Sequence, residues 1–541
     1  MKFYSLLSAT AAVCLTTVVN AQESSFSSAL LKTLESFPSS NPIIASLNTA
    51  IQDSGDVLDE ASHQHKDARS LQSSSGSQIA CYILEYILPS YYVDSTTNQS
   101  AYNTLREKNW SNNCQLPAAC FITPEHPAQV AVALQIISRF QSKFAVRTAG
   151  HNPNPGFAGV GEEGVTIDTQ RFQTLELSAD KSFATIGAGL RFGPIQEFLD
   201  SQGVAVVSGR NEYVGVSGLI LGGGHPIINS LTGLAADNIK SIEIVLSDFR
   251  VVTASLTEHS DLFRALKGGG NNFGIVTKFE LYTSMPREIW YRNTVYNASN
   301  PRAILNALVE VQRNMEEDPY AGIQMTCSSA GFTVAFVYGK PTSNPAVFAP
   351  FNQFIPASER TPPTNGTTLE FIKLQSPVQG SASRGTASVT TLPDTDLYVD
   401  VYNKFLSVAE ANKNTSAGFL LPIPTFGSSA AHIAVRNGGN VLGTSARAQA
   451  WWNPIAEWTN PASDTQVHNS LLMIADYIKE RAQAKGLYDP FIFSNVAAHD
   501  QNVLGSYGQQ NLDFLRGVSQ KYDPWGTFQT LQNGGFLVSR S

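Results

Sequence analysis

The apolar positions of this chain follow two rhythms. Up to residue 286, short apolar runs alternate with loops rich in glycine and polar residues. Val130, Leu134 and Ile137 recur at helical spacing after Thr123-Pro124-Glu125, a capping hydroxyl, a proline and an acid in the order that opens a helix. The runs Phe144–Val146, Val165–Ile167, Phe183–Ile186 and Val204–Val207 read as strands, with a short helix over Pro194–Leu199. Ile239–Leu246 and Arg250–Ala254 read as a hairpin, followed by a helix over Asp261–Leu266.

From residue 287 to 480 the pattern changes. Phe332, Val334, Phe336 and Tyr338 alternate with other residues, as in an antiparallel sheet with one covered face. Helices are expected over Arg302–Met315 and Leu397–Ala411. Asp464 caps a long helix carrying Val467, Leu471, Ile474 and Ile478, stopped by Gly486. A last helix runs over Gln510–Lys521 and ends at Asp523-Pro524.

The ends read differently. Lys2, the apolar stretch Leu6 to Val19 and the small residues Val19-Asn20-Ala21 form a secretory signal over residues 1–21. The protein is therefore expected outside the cell, starting at Gln22. No later run is long enough to span a bilayer, so no membrane partner is expected. Residues 22–75, rich in Ser, Gln and Ala, read as a poorly ordered N-terminal extension with some helix around Leu30 to Leu47.

Composition narrows the classes. A chain of 541 residues exceeds one minimal core and implies two domains, or one with an insertion. The net charge of −8 leaves no basic excess to neutralise phosphates, which argues against nucleic acid as a partner. Outside the signal, Cys81, Cys114, Cys120 and Cys327 can form a disulfide whose pairing is open, and no cysteine or histidine cluster has metal-site spacing. Five N-x-S/T sequons, at Asn98, Asn109, Asn297, Asn365 and Asn414, suit a glycosylated secreted protein.

Three glycine-rich loops carry the candidate chemistry. The first, Phe144 to Gly161, presents Arg147 and His151 among small residues that let backbone approach a ligand. The second is Val214 to Gly224, and the third is Leu266 to Gly274. Three such loops between strands imply a large ligand contacted by backbone at several points. The G-x-G-x-x-G spacing of a nicotinamide fold is absent, as is the G-x-S-x-G elbow around Ser217.

In order and spacing these stretches resemble the p-cresol-methylhydroxylase-type FAD-binding proteins of the berberine-bridge-enzyme-like branch, of fungal secreted type. Val146-Arg147-Thr148-Ala149-Gly150-His151 resembles the family's histidine loop. Val214-Gly215-Val216-Ser217-Gly218 with Gly222-Gly223-Gly224 and Asp237-Asn238 resembles its second flavin-contacting stretch. Lys267 to Thr277 resembles its third, and Tyr522-Asp523-Pro524 with Phe528 resembles its C-terminal closure. The likeness covers about residues 76–286 and 485–535. It implies an α+β fold: a two-part FAD-binding domain, 76–286 and 481–541, with an inserted substrate domain of antiparallel sheet plus helices, 287–480.

The resemblance implies a covalent bond from His151 to the flavin's 8α methyl. It implies that Arg147 and the loop N–H groups from Thr148, Ala149, Gly150 and Asn152 to Gly156 hold the pyrophosphate. Val214, Gly215, Ser217, Gly218 and Leu221 would contact FAD, with Ile275 and Val276 packed near it and Asn495 and Asn511 approaching it. The plain structural alternatives are an uncharged loop histidine, an ion pair for Arg147, strand core for Ile275 and Val276, and turn or cap roles for the asparagines. Many relatives carry a second link through a cysteine where this chain has Asn211, so one tether is expected. The family's base tyrosine is replaced by Val496, which leaves the catalytic residue unassigned; His499 and Tyr507 nearby read as structural. Val214 matches a position where valine admits dioxygen. The implied activity is an FAD-dependent oxidase acting on an alcohol, amine or secondary metabolite and producing hydrogen peroxide. A carbohydrate oxidase and a flavin-bound interaction protein with little turnover are the alternatives.

Overall fold

In the computed structural model, which describes residues 25–67, 75–377 and 379–541, the chain forms two units, residues 1–73 and 74–541. The signal expected over residues 1–21 lies outside the described residues. Within the extension after it, expected to be poorly ordered, residues 25–67 are described and largely helical. Three helices, Phe26–Leu34, Pro42–Asp53 and Gly55–Asp67, bury Leu30, Leu34, Ile44, Leu47, Ile51 and Leu58. Ser25 and Asn41 cap the first two helices, and Asp59 accepts from Ser27 N and Oγ at 2.8 and 2.9 Å. A polar composition concealed a small set of apolar residues at helical spacing, and that spacing decides the structure.

The larger unit contains three sheets. A four-stranded sheet runs in the order Tyr92–Val93, Cys120–Ile122, Gly164–Asp168, Lys143–Arg147, its last three strands parallel. A five-stranded antiparallel sheet follows the order Leu175–Leu177, Phe183–Gly187, Ile275–Tyr282, Ile239–Val245, Val251–Ser255. The expected hairpin is present as the pair Ile239–Val245 and Val251–Ser255. The third is a ten-stranded antiparallel sheet that begins with Glu288–Asn297 and takes in the short strand Tyr488–Asp489. The helices Pro301–Asn314, Thr395–Ala411 and Asp464–Ala484 accompany this sheet and bury Leu308, Tyr398 and Leu471 with its inner face. This is an α+β architecture: a part that carries the three glycine-rich loops plus a part built on a large antiparallel sheet.

Two local expectations are corrected. The helix expected after Thr123 starts at Pro127, where His126 is the cap and accepts from Ala128 N through its ring nitrogen. Proline at the first helical position still marks the start, but it is the second of two nearby prolines. Val204–Val207 forms no strand. It is buried extended chain, with the Val206 carbonyl held by Gln196 Nε2 at 2.8 Å, so burial without a neighbouring strand produced the apolar run.

The disulfide joins Cys81 to Cys120 and ties the helix Gly76–Ile87 to the four-stranded sheet. Cys114 and Cys327 are buried thiols, and burial pushes Cys114 up to about 12. No described helix is long and apolar enough to cross a membrane. Four sequon asparagines, Asn98, Asn297, Asn365 and Asn414, are exposed, but Asn109 is only 5% exposed and donates to Cys114 O at 2.5 Å. Expressed through a secretory host, the chain should therefore yield glycopeptides at the four exposed sites and an unmodified Asn109 peptide, read by mass spectrometry.

Candidate functional site

The first loop leaves its strand at a buried ion pair. Arg147 closes the strand Lys143–Arg147, and its Nε and Nη2 donate to Asp168 Oδ2 at 2.9 and 2.7 Å. Both side chains are at most 1% exposed, and Lys108 Nζ adds a third donor at 3.0 Å. The guanidinium thus pairs with the end of the neighbouring strand, the ion-pair alternative for Arg147. Removing two charges from water is costly, so the pair persists only because its geometry is tight.

Beyond Arg147 the backbone turns through Gly150 at φ +68°. A Cβ there would lie 2.4 Å from Asn109 Oδ1, so glycine is required twice over. The carbonyls of this loop face inward: Arg191 Nη2 donates to Ala149 O at 3.3 Å and Trp110 N to Gly150 O at 2.9 Å. Among the described residues, the N–H groups of Ala149, Gly150, His151 and Asn152 have no protein acceptor. Successive unclaimed N–H groups form a concave anion site. Asn152 Oδ1 accepts from Asn154 N, and Gly156, at φ +85°, gives its carbonyl to Asn533. Thr148 Oγ1 meets Thr169 Oγ1 at 3.1 Å.

His151 stacks on Trp110, with ring centroids 4.2 Å apart and planes 12° from parallel. Behind Trp110 lies Arg384, its guanidinium 4.7 Å from the Trp110 ring centroid. Arg384 comes from the ten-stranded sheet's part of the chain, donates to Trp110 O and pairs with Glu457 at 2.9 Å. Burial, then the cations Arg191 and Arg384, hold the His151 imidazole down at about 4, so it is neutral at physiological pH.

The second glycine stretch packs directly on the first. A Cβ on Gly215 would lie 2.8 Å from Thr148 Cγ2 and 2.9 Å from Ala149 Cβ. Val214 gives its carbonyl to Phe192 N, and Ser217 Oγ donates to Ala188 O at 2.9 Å. Asn495 clamps this stretch: its Nδ2 donates to Gly218 O and its Oδ1 accepts from Gly224 N, both at 3.0 Å. The carbonyl of Leu221 takes Gly270 N of the third glycine run. His151, Thr148, Ala149, Gly150, Gly215, Gly218 and Asn495 are thus brought into one backbone-lined region.

The other expected residues have structural partners of their own. Ile275 and Val276 are at most 5% exposed and pair with Val245 and Ile244 in the five-stranded sheet. Asn511 accepts from Arg264 Nη2 at 2.8 Å and donates to Tyr507 O at 3.0 Å, a brace between helices. Tyr507 is buried and donates to Gly268 O. His499 is exposed and stacks on His468, and with Asp500 these form the described residues' one group of three side chains with ligand atoms within 4.8 Å of each other. Asn211 Oδ1 accepts from Tyr213 N, as in an ordinary turn.

The sequence reading missed Asn109, Trp110, Arg191 and Arg384. Asn-Trp-Ser at 109–111 presented itself as a sequon, although an aromatic beside a candidate loop was the available signal.

A family profile described as an FAD binding domain matches residues 118–255. An FAD-dependent monooxygenase of Arthrobotrys oligospora is 36% identical over 468 residues, covering 86% of this chain and 90% of its own. The FAD-dependent monooxygenase yanF of Aspergillus niger is 32% identical, covering 82% of this chain and 77% of its own. Among solved structures, the BBE-like 1 protein of Physcomitrella patens superposes with a TM-score of 0.69 at 19% identity, over 82% of this chain and 96% of that one. Glucooligosaccharide oxidase from Acremonium strictum, described with a 6-S-cysteinyl, 8α-N1-histidyl FAD, superposes with a TM-score of 0.69 at 17% identity, again over 82% and 96%.

Asp168→Asn leaves buried Arg147 and part-buried Lys108 beside a neutral partner. The expected cost is about 3–5 kcal/mol of unfolding free energy, read by denaturant titration, because a buried cation loses its compensation.

Proposed function

The chain belongs to the berberine-bridge-enzyme-like FAD-dependent oxidoreductases, and on that premise we propose that it is a secreted oxidase acting on a small alcohol, amine or secondary metabolite, with His151 as the single covalent tether of FAD. The observation that carries the reading is a neutral imidazole, held flat by Trp110, at the centre of four unclaimed backbone N–H groups. That donor set fits the cofactor: N–H groups suit a pyrophosphate, and an unprotonated ring nitrogen is a competent nucleophile toward an electrophilic methyl.

FAD held here would supply hydride acceptance from the substrate and, with dioxygen as oxidant, release of hydrogen peroxide. The chain's own part is orientation and charge. Trp110 fixes the plane of His151, while burial, then Arg191 and Arg384, keep it unprotonated. Asn495 holds the second glycine stretch against the first. The base that takes the substrate's proton stays unassigned. Val496 lacks a titratable group and gives its carbonyl to Thr386 Oγ1 at 2.9 Å. Asn211 in place of a cysteine supports one tether, not two.

A second reading is a monooxygenase, supported by the names of the curated relatives. Turnover under isotope-labelled dioxygen separates the two. Peroxide equal to substrate consumed, with no label in the product, supports the oxidase; label in the product overturns it. Peroxide with sugars alone favours a carbohydrate oxidase, and a reducible but inert flavin favours an interaction protein.

His151→Ala should lose in-gel flavin fluorescence after denaturation, and a non-fluorescent wild-type holoprotein would sink the tether. The pH dependence follows from the depressed imidazole. Because the folded ring protonates only near about 4, attachment of FAD to apoprotein should proceed at a level rate from neutral pH to about pH 5 and fall only as pH approaches 4. A fall centred near pH 6.5, the ordinary histidine range, would contradict it.

A further inference from the structure

Among the described residues, the two fully buried arginines each have a carboxylate partner. Arg147 has Asp168, and Arg384 has Glu457. Arg210 has none among the described residues. Its one hydrogen bond goes from Nη1 to the neutral side-chain oxygen of Gln324. A guanidinium carries five N–H donors, so most of its capacity is unused. Burial alone pulls it down to about 10, with no acid nearby to raise it. Yet the side chain retains some accessible surface, so it is not sealed in packed core.

Arg210 joins two parts of the larger unit. Arg210 lies one residue before Asn211 in the segment leading into the second glycine stretch. Gln324 is on the strand Ala321–Ser328, in the middle of the ten-stranded sheet, opposite Pro424. The cation therefore spans from the backbone-lined region to the sheet that faces it. Its titratable neighbour His225, next to the Gly222-Gly223-Gly224 run, donates Nε2–H to Thr425 O, one residue beyond Pro424. Burial, followed by the field of Arg210, keeps that ring neutral. Charge at this spot is a single uncompensated cation.

We propose that Arg210 is the counter-ion for an ionised oxygen of the substrate, a phenolate, enolate or carboxylate bound between the 204–215 segment and the ten-stranded sheet. This deepens, and rests on, the reading of the neighbouring region as the flavin site. A buried cation of this kind favours an acidic hydroxyl in its ionised form and lowers its apparent pKa. It also selects against neutral sugars and ethers, which offer no charge to offset the buried guanidinium.

The test uses the purified holoprotein and p-nitrophenol, whose own absorbance reports ionisation. Wild type should bind it as phenolate, with its apparent pKa lowered by about one unit, and should bind neutral p-nitroanisole at least about tenfold more weakly. Arg210→Met should lose about tenfold or more of the phenolate affinity and abolish the pKa shift, while Arg210→Lys keeps part of both. Should Arg210→Met not fold, Arg210→Gln carries the same test. A benzoate arm separates the sources: benzoate bound more tightly than p-nitrophenol assigns a carboxylate, and the reverse assigns a phenol or enol. Equal binding of p-nitrophenol and p-nitroanisole to wild type, or equal binding of p-nitrophenol to wild type and Arg210→Met, overturns the proposal. So does a variant whose ligand-free flavin potential moves while anion binding does not, which would place the counter-charge on the cofactor. In-gel flavin fluorescence retained in Arg210→Met keeps this outcome separate from failure of the flavin reading.

Discussion

Asp168 ends its strand with no exposed side chain and gathers the guanidinium of Arg147 and the ammonium of Lys108 around one carboxylate. Everything at the site depends on that cluster. It pins the ends of two parallel strands in register, Arg147 opposite Asp168. The chain beyond Arg147 must then leave the sheet at one point and in one direction. Gly150 against Asn109, and Gly215 against Thr148 and Ala149, are contacts made possible by that fixed exit. A buried ion pair is a poor source of stability but a good source of specificity when each lone pair is satisfied, and here Gln170 N takes the remaining acceptor at 3.0 Å.

The two halves of the larger unit meet at the same place. Trp110 touches His151 on one side and Arg384 on the other, and its Nε1 donates to Gln379 Oε1 at 2.5 Å. Ser111 Oγ accepts from Arg384 N at 2.6 Å. The segment around 109–114 is therefore a joint between the cofactor-binding part and the sheet part, not a surface loop. The C-terminal stretch is a second joint. Asn495 holds the glycine stretch while Val496, its chain neighbour, is held by Thr386 of the sheet part. The histidine loop is thus braced from both sides by residues distant in sequence.

How much of this was legible depended on the range of the interaction. Helices Pro301–Asn314, Thr395–Ala411 and Asp464–Ala484 lie within a residue or two of their expected bounds, because periodicity and caps are local. The glycine loops were legible as a set, since glycine weakens regular elements and recurs at strand ends mainly where backbone must come close to a partner. The partner of Arg147 was not legible, because sequence cannot show that Asp168 lies beside it across a parallel pair. Asn109 was read as a glycan acceptor because burial is invisible in a three-residue motif. Trp110 and Arg384, 274 positions apart, form their contact only through the tertiary fold. The N-terminal helices were hidden by composition, although Phe26, Leu30 and Leu34 carried the spacing.

The strand that bears the histidine loop has an unusual outer neighbour. Phe144 N donates to Leu531 O at 3.0 Å, Asn533 N donates to Phe144 O at 2.8 Å, and Phe528 packs edge-on against Phe144 at 5.8 Å. Asp523 anchors that return by accepting from Thr527 N and Phe528 N. For a chain emerging from the ribosome, this sets an order of events. The loop is made early, but its supporting edge is made only after residue 533 has been translated.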